Sequence, residues 1–103
     1  MTNRDFYAYC RDQRKIEPDA HKRTALADVY RFMWECGVSK RGVTNLIDTR
    51  IWQIAHKEGQ HKTRSQEENR AQIAAYQWLL GVFEGREPLQ PVAQGEDTLW
   101  QAE

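Results

Sequence analysis

The stretch DAHKRTALADVYRFMWECG, residues 19–37, carries a helix start, a helix periodicity and a helix stop in one run. Asp19 follows Pro18, and a carboxylate there can accept from the free amides of a first helical turn. Leu26, Val29, Tyr30, Met33 and Cys36 recur at i, i+3, i+4, i+7 and i+10, the spacing of one helix face. Phe32 and Trp34 stand off that face on opposite flanks. The apolar stripe is therefore broad, and a helix over residues 20–36 belongs at the centre of a core. Gly37 supplies the stop.

The flanking segments repeat the pattern. Upstream, Thr2 or Asn3 caps a helix over residues 3–15, with Phe6, Tyr7, Tyr9 and Cys10 as its apolar contacts. Pro18 blocks its continuation, because the residue before a proline is pushed out of the α region. Downstream, a third helix begins at Ser39 or shortly after and runs to residue 58, with Gly59 as its stop. Val43, Leu46, Ile47, Ile51, Ile54 and Ala55 fall on one broad face of it. Arg41, Asn45, Thr49, Trp52 and His56 fall on the other. Residues 57–64 are polar and basic and read as a loop. Ser65-Gln66-Glu67-Glu68 reads as a capping box, opening a fourth helix to residue 84 before Gly85. The expected fold is all-α: a compact bundle of about four helices in a single domain over residues 1–85. An irregular acidic tail follows over residues 86–103, flexible or loosely docked, with Leu99 and Trp100 as its late anchors.

Composition narrows the function classes. A chain of 103 residues is one domain. With 40% hydrophobic and 11% aromatic residues it is too apolar for a disordered chain. Fifteen basic residues balance fifteen acidic ones, which removes the simple case for a polyelectrolyte binder. The balance is uneven along the chain: residues 37–64 carry a net +4 and residues 65–103 a net −5. Such asymmetry marks either a basic contact surface beside an acidic tail or charge complementarity within the fold. No apolar run reaches the roughly 18–20 residues that cross a bilayer. The polar start Met1-Thr2-Asn3-Arg4-Asp5 lacks a signal-peptide core, so a cytoplasmic location is expected. Cys10 and Cys36 make no disulfide framework and are expected as two buried thiols in a reducing compartment. Cys10, His21, Cys36, His56 and His61 show no chelating pair beyond the loose His56 and His61, so no metal is expected. The histidines read as surface residues. No serine or cysteine has an activating context, and there is no glycine-rich phosphate loop or paired-carboxylate motif. The expectation is a non-enzymatic protein without a cofactor.

One motif points to a partner. The junction CGVSKRGVTNLI, residues 36–47, resembles the turn and recognition helix of a helix-turn-helix DNA reader. Gly37 takes the place of the turn glycine, Val38 the core plug and Ser39 the cap, with Val43 and Leu46 packing inward. A capped helix start of this kind enters the major groove and presents polar side chains to base edges. Lys40, Arg41, Thr44 and Asn45 are those side chains here, with Lys62 and Arg64 as flanking phosphate contacts. Arginine bridges two acceptors on guanine, and asparagine does so on adenine. Two residues depart from the motif. Met33 stands where a small residue usually lets the helices cross closely. Gly42 lies inside the proposed recognition helix, where it costs about 1 kcal/mol relative to alanine. A later start, with Thr44 as the cap and residues 38–41 as loop, is the alternative. A plain helical turn with a solvated basic face competes with the DNA reading.

Two surfaces suggest a protein contact instead. On the fourth helix Ala71, Ala74, Ala75, Trp78 and Val82 form one stripe, and Ile73, Tyr76, Leu80 and Phe83 another on the far side. The second stripe needs cover from helix one, from the tail with Trp100, or from another chain: a twin copy or a target. Trp52, among Arg41, Asn45, Thr49 and His56, suits base stacking or a protein contact unless helix one or the tail packs on it. The reading is a small binding protein of bacterial, phage or plasmid style. It is expected to be a helix-turn-helix-type regulator of duplex DNA, forming a homodimer through its fourth helix. The alternative is a modulator or inhibitor that grips a larger host enzyme or complex through an apolar or aromatic helix face.

Overall fold

Capping chemistry sets where the helices begin. The computed structural model describes residues 1–57 and 66–86. The Thr2 hydroxyl accepts from the Asp5 amide at 3.0 Å, and α1 follows as Asn3–Gln13. The Asp19 carboxylate accepts from the His21 and Lys22 amides at 2.8 and 3.1 Å and opens α2, Ala20–Cys36. The Ser39 hydroxyl accepts from the Gly42 amide at 3.0 Å, ahead of α3, Lys40–Lys57. The fourth helix, α4, is Gln66–Glu84. Its expected cap, Ser65, lies outside the described residues, as do Gly59 and the tail anchors Leu99 and Trp100. Gly37 and Gly85, at φ 89° and 81°, take the left-handed turns that end α2 and α4.

The all-α four-helix fold stands as expected, with one difference at a helix end and one alternative removed. α1 stops at Gln13 rather than at residue 15. There the Lys15 and Ile16 amides turn to carbonyls three residues back, Asp12 and Gln13, so the last turn tightens before Pro18. α3 starts at Lys40 under the Ser39 cap, so Thr44 is an interior residue and not a later cap.

α4 is the spine of the bundle. It packs on both α2 and α3, while α1 lies against α2. α4 runs in the direction of α2: His21 meets Gln72, and Asp28 meets Tyr76. α2 and α3 form an antiparallel pair, with Asp28 opposite Arg50 and Phe32 beside Gly42. The core is Phe6 and Cys10 of α1, Leu26, Val29 and Met33 of α2, Val43 and Ile47 of α3, and Tyr76, Leu79, Val82 and Phe83 of α4. Phe6 and Phe83 stack with ring centroids 4.0 Å apart and planes 8° from parallel, which ties α1 to α4.

Three further expectations are corrected by this packing. Cys10 is buried but Cys36 is exposed, because the last residue of α2 already faces the turn. His21 is half-buried: its Nδ1 donates to Gln72 Oε1 at 3.0 Å, and Gln72 Nε2 donates back to the His21 carbonyl at 3.0 Å. Ala55 is exposed although its spacing places it on the apolar face of α3. Among the described residues, no helix is long and apolar enough to cross a membrane.

Candidate functional site

The outer face of α3 brings together most of the residues singled out at the sequence level. Ser39, Lys40, Arg41 and Asn45 are exposed at the start of the helix, and Thr44 is half-buried beside them. The Ser39 cap fixes the first turn, and Val38 is half-buried against the core cluster, as a plug after the turn glycine should be. Met33 is buried in the core, so a thioether stands where the motif usually has a small side chain. Lys62 and Arg64, the expected flanking contacts, lie outside the described residues.

The structure also explains Gly42. A Cβ built there falls 2.7 Å from the Ser39 hydroxyl and 3.7 Å from the Phe32 ring. The glycine therefore makes room for the cap hydroxyl, while the Phe32 ring lies at ordinary contact distance.

Further along the same face stands Trp52, 55% exposed. Its ring stacks on His56, with centroids 4.5 Å apart and planes 16° from parallel. The His56 ring donates from Nδ1 to the Trp52 carbonyl at 3.0 Å, which holds the pair together as one flat surface. Among the described residues no helix covers it. Asp48 and Thr49 are exposed between Asn45 and Trp52, so the strip carries one carboxylate among its basic and aromatic groups. On its inner side α3 is anchored by Arg50, which reaches Asp28 from Nε at 2.8 Å and from Nη2 at 3.2 Å. The same carboxylate accepts from the Tyr76 hydroxyl at 2.6 Å. Charge-assisted bonds of this kind join α2, α3 and α4 and fix the rotation of α3 about its axis.

The fourth-helix stripe fares differently. Tyr76 and Phe83, expected under another chain, are buried by their own α1 and α2. Leu79, which belonged to neither expected stripe, is fully buried at the centre. The two stripes are the flanks of one wide face, and Ile73 and Leu80 remain half-buried at its edge. Leu80 borders an open groove of about 640 Å³ between α3 and α4, lined also by Asp48, Ile51, Gln77, Trp78 and Arg86.

A second surface lies on α1 and α2 and is not marked by any motif. On α1 and α2, Tyr7 and Tyr30 meet with ring centroids 5.3 Å apart. The Arg14 guanidinium lies 4.5 Å from the centroid of the Tyr30 ring. Trp34, one turn further along α2, is 68% exposed. Its signal is the spacing of Arg4, Tyr7, Arg11 and Arg14 along one side of α1 and its cap, where the tyrosine by itself reads as a core contact.

The chain matches no family model, no curated protein and no solved structure.

Proposed function

We propose that this is a binding protein that reads duplex DNA through the first turns of α3. The observation that carries the reading is the Ser39 cap, which fixes the helix start while Lys40, Arg41 and Asn45 stay exposed on it. The free amides of such a start favour a phosphate, and the side chains beside them can reach base edges. A three-residue connection, Gly37 to Ser39, separates α2 from α3, a length found in helix-turn-helix motifs.

Binding of a labelled duplex pool, followed by anisotropy at rising salt, tests this. Affinity should fall steeply with salt, because phosphate contacts release counterions. Arg41→Ala or Asn45→Ala should each weaken binding to a selected site by about 1–3 kcal/mol. Unchanged duplex affinity in the double variant Lys40→Ala, Arg41→Ala would sink the proposal.

One observation favours a second reading, a modulator that grips a larger protein. Trp52 is a large flat anchor next to His56 and the acidic Asp48, and tryptophan with arginine is the usual composition of an interface hot spot. Under that reading Trp52→Ala removes partner binding while Lys40→Ala and Arg41→Ala leave it intact.

A further inference from the structure

The second surface, on the side of the bundle formed by α1 and α2, has a chemistry of its own. Arg4, Tyr7, Arg11 and Arg14 recur at i, i+3, i+7 and i+10, so they share one face of α1 and its C-terminal cap, Arg14. No carboxylate falls at those positions; Asp5 and Asp12 belong to the adjoining face. On α2, Ala27, Tyr30, Arg31 and Trp34 recur at i, i+3, i+4 and i+7. The two rows meet where Tyr7 touches Tyr30 and Arg14 covers the Tyr30 ring.

The arginines differ in how free they are. Arg11 is held by Asp12 at 2.9 Å and Arg31 by Glu35 at 3.4 Å. Both pairs are solvent-exposed, so an incoming anion displaces the carboxylate at little cost. Arg14 has no carboxylate partner among the described residues, and its Nε is buried without a hydrogen bond. Its guanidinium lies over the Tyr30 ring and meets the Tyr30 hydroxyl, with no carboxylate to neutralise it, so its charge is available to an anionic ligand. The Tyr30 hydroxyl already feels this field: a hydrogen bond from Tyr7 and then one from Arg14 hold it below its ordinary pKa. Beyond Tyr30, Trp34 lies one turn on, about 6 Å along the axis, with most of its ring open.

We infer that the α1–α2 face is a binding site for single-stranded nucleic acid, with strand phosphates on Arg14 and Arg11 and a base stacked on Trp34. Positive groups that track a backbone beside aromatic rings that accept any base are the recurring design of such sites. Arginine matches the phosphate fork bidentately. The tyrosine pair acts as a floor that fixes Arg14, not as a competing ligand. This surface lies on a different side from the outer face of α3, whose inner residue Arg50 turns toward α2. The inference is independent of the duplex reading.

The experiment uses the whole chain and a fluorescein-labelled oligo-dT, followed by anisotropy at low salt. The unmodified protein should bind it. Arg14→Gln should weaken binding about tenfold, and Trp34→Ala by a similar factor, the range expected for losing one stacked base. An abasic oligomer of equal length should bind the unmodified protein more weakly than oligo-dT and should lose its dependence on Trp34. Lys40→Ala with Arg41→Ala should leave oligo-dT affinity within about twofold, whatever they do to duplex binding. Arg11→Gln, at an exposed position, serves as a second variant should Arg14→Gln perturb the helical circular dichroism. No binding of oligo-dT overturns the proposal. So does equal affinity in the Arg14, Arg11 and Trp34 variants, or loss of binding only in the Lys40 and Arg41 variant.

Discussion

Cys10 and Cys36 show how differently two residues of one type behave when one sits inside a helix face and the other ends a helix. Cys10 is sealed in the core, and burial pushes its thiol well above its ordinary pKa. Tyr9 moves in the same direction, first through burial and then through the charge of Glu17. Ellman's reagent should therefore titrate one thiol in the native protein, Cys36, and the second only after denaturant is added. Cys36→Ser should leave no fast-reacting thiol. The pH dependence follows the same logic. The folded chain keeps protons on Cys10 and Tyr9 that the unfolded chain releases above about pH 8.5 and 10. The stability these groups contribute is whole below those values and is lost progressively as pH rises through and beyond them. The urea midpoint should hold between about pH 7 and 8 and then fall toward pH 11, with a shallower fall in Cys10→Val. A midpoint that rises over that interval would contradict the assignment. The sequence placed both cysteines in apolar-patterned stretches and read both as buried. Periodicity identifies a face of a helix, but exposure at its last residue depends on where the chain turns next.

The connection between α2 and α3 is where three local choices depend on one another. Ser39 caps α3, Gly42 gives that cap its space, and Phe32 fills the remaining gap from α2. Ser39→Ala should destabilise the protein by about 1 kcal/mol, the ordinary value of a lost cap. Gly42→Ala would gain about 1 kcal/mol in a free helix. Here its new methyl meets the Ser39 hydroxyl, so the gain should vanish or reverse. In the double variant the hydroxyl is gone, and the alanine should recover much of its intrinsic advantage. Thermal or urea unfolding of the four proteins gives the coupling directly, and additive effects would show that the cap and the glycine are unrelated. Helix starts were the most legible feature of this chain because capping involves three or four consecutive residues. Thr2, Asp19 and Ser39 all cap where their side chains and spacing indicated. Gly42 read as a departure from the motif for a reason equally physical: its justification is the direction taken by the Ser39 hydroxyl three residues back, and residue spacing does not contain a rotamer.

At the scale of the molecule, α4 decides whether the chain is complete by itself. Its sequence is apolar enough to give two stripes, and the stripe of Ile73, Tyr76, Leu80 and Phe83 reads as a surface awaiting a second chain. The fold places the centre of the face at Leu79 instead, with Ala75 and Val82 to one side and Tyr76 and Phe83 to the other. Hydrophobic spacing could not choose that centre, because a helix with apolar residues on most sides has several equivalent ones. The choice comes from the neighbours: Phe6 takes Phe83, and Asp28, already paired with Arg50, takes the Tyr76 hydroxyl. Phe83 is thus a core residue joining α1 to α4, while Leu80 is an edge residue beside the α3–α4 groove. Phe83→Ala should cost about 3–5 kcal/mol, the range for truncating a buried aromatic. Phe6→Ala should cost a similar amount. The double variant should fall short of the sum, because each single change already removes the same ring stack. Leu80→Gln, by contrast, should keep the helical circular dichroism and change stability by about 1 kcal/mol or less, since the side chain is only partly withdrawn from water. Sedimentation of Leu80→Gln then isolates the question of association from that of folding. If the parent self-associates and Leu80→Gln does not, the edge of α4 is a contact between copies. If Phe83→Ala proves as mild as Leu80→Gln, the ring pair is not part of the core, and the assignment of α4 as the spine fails with it.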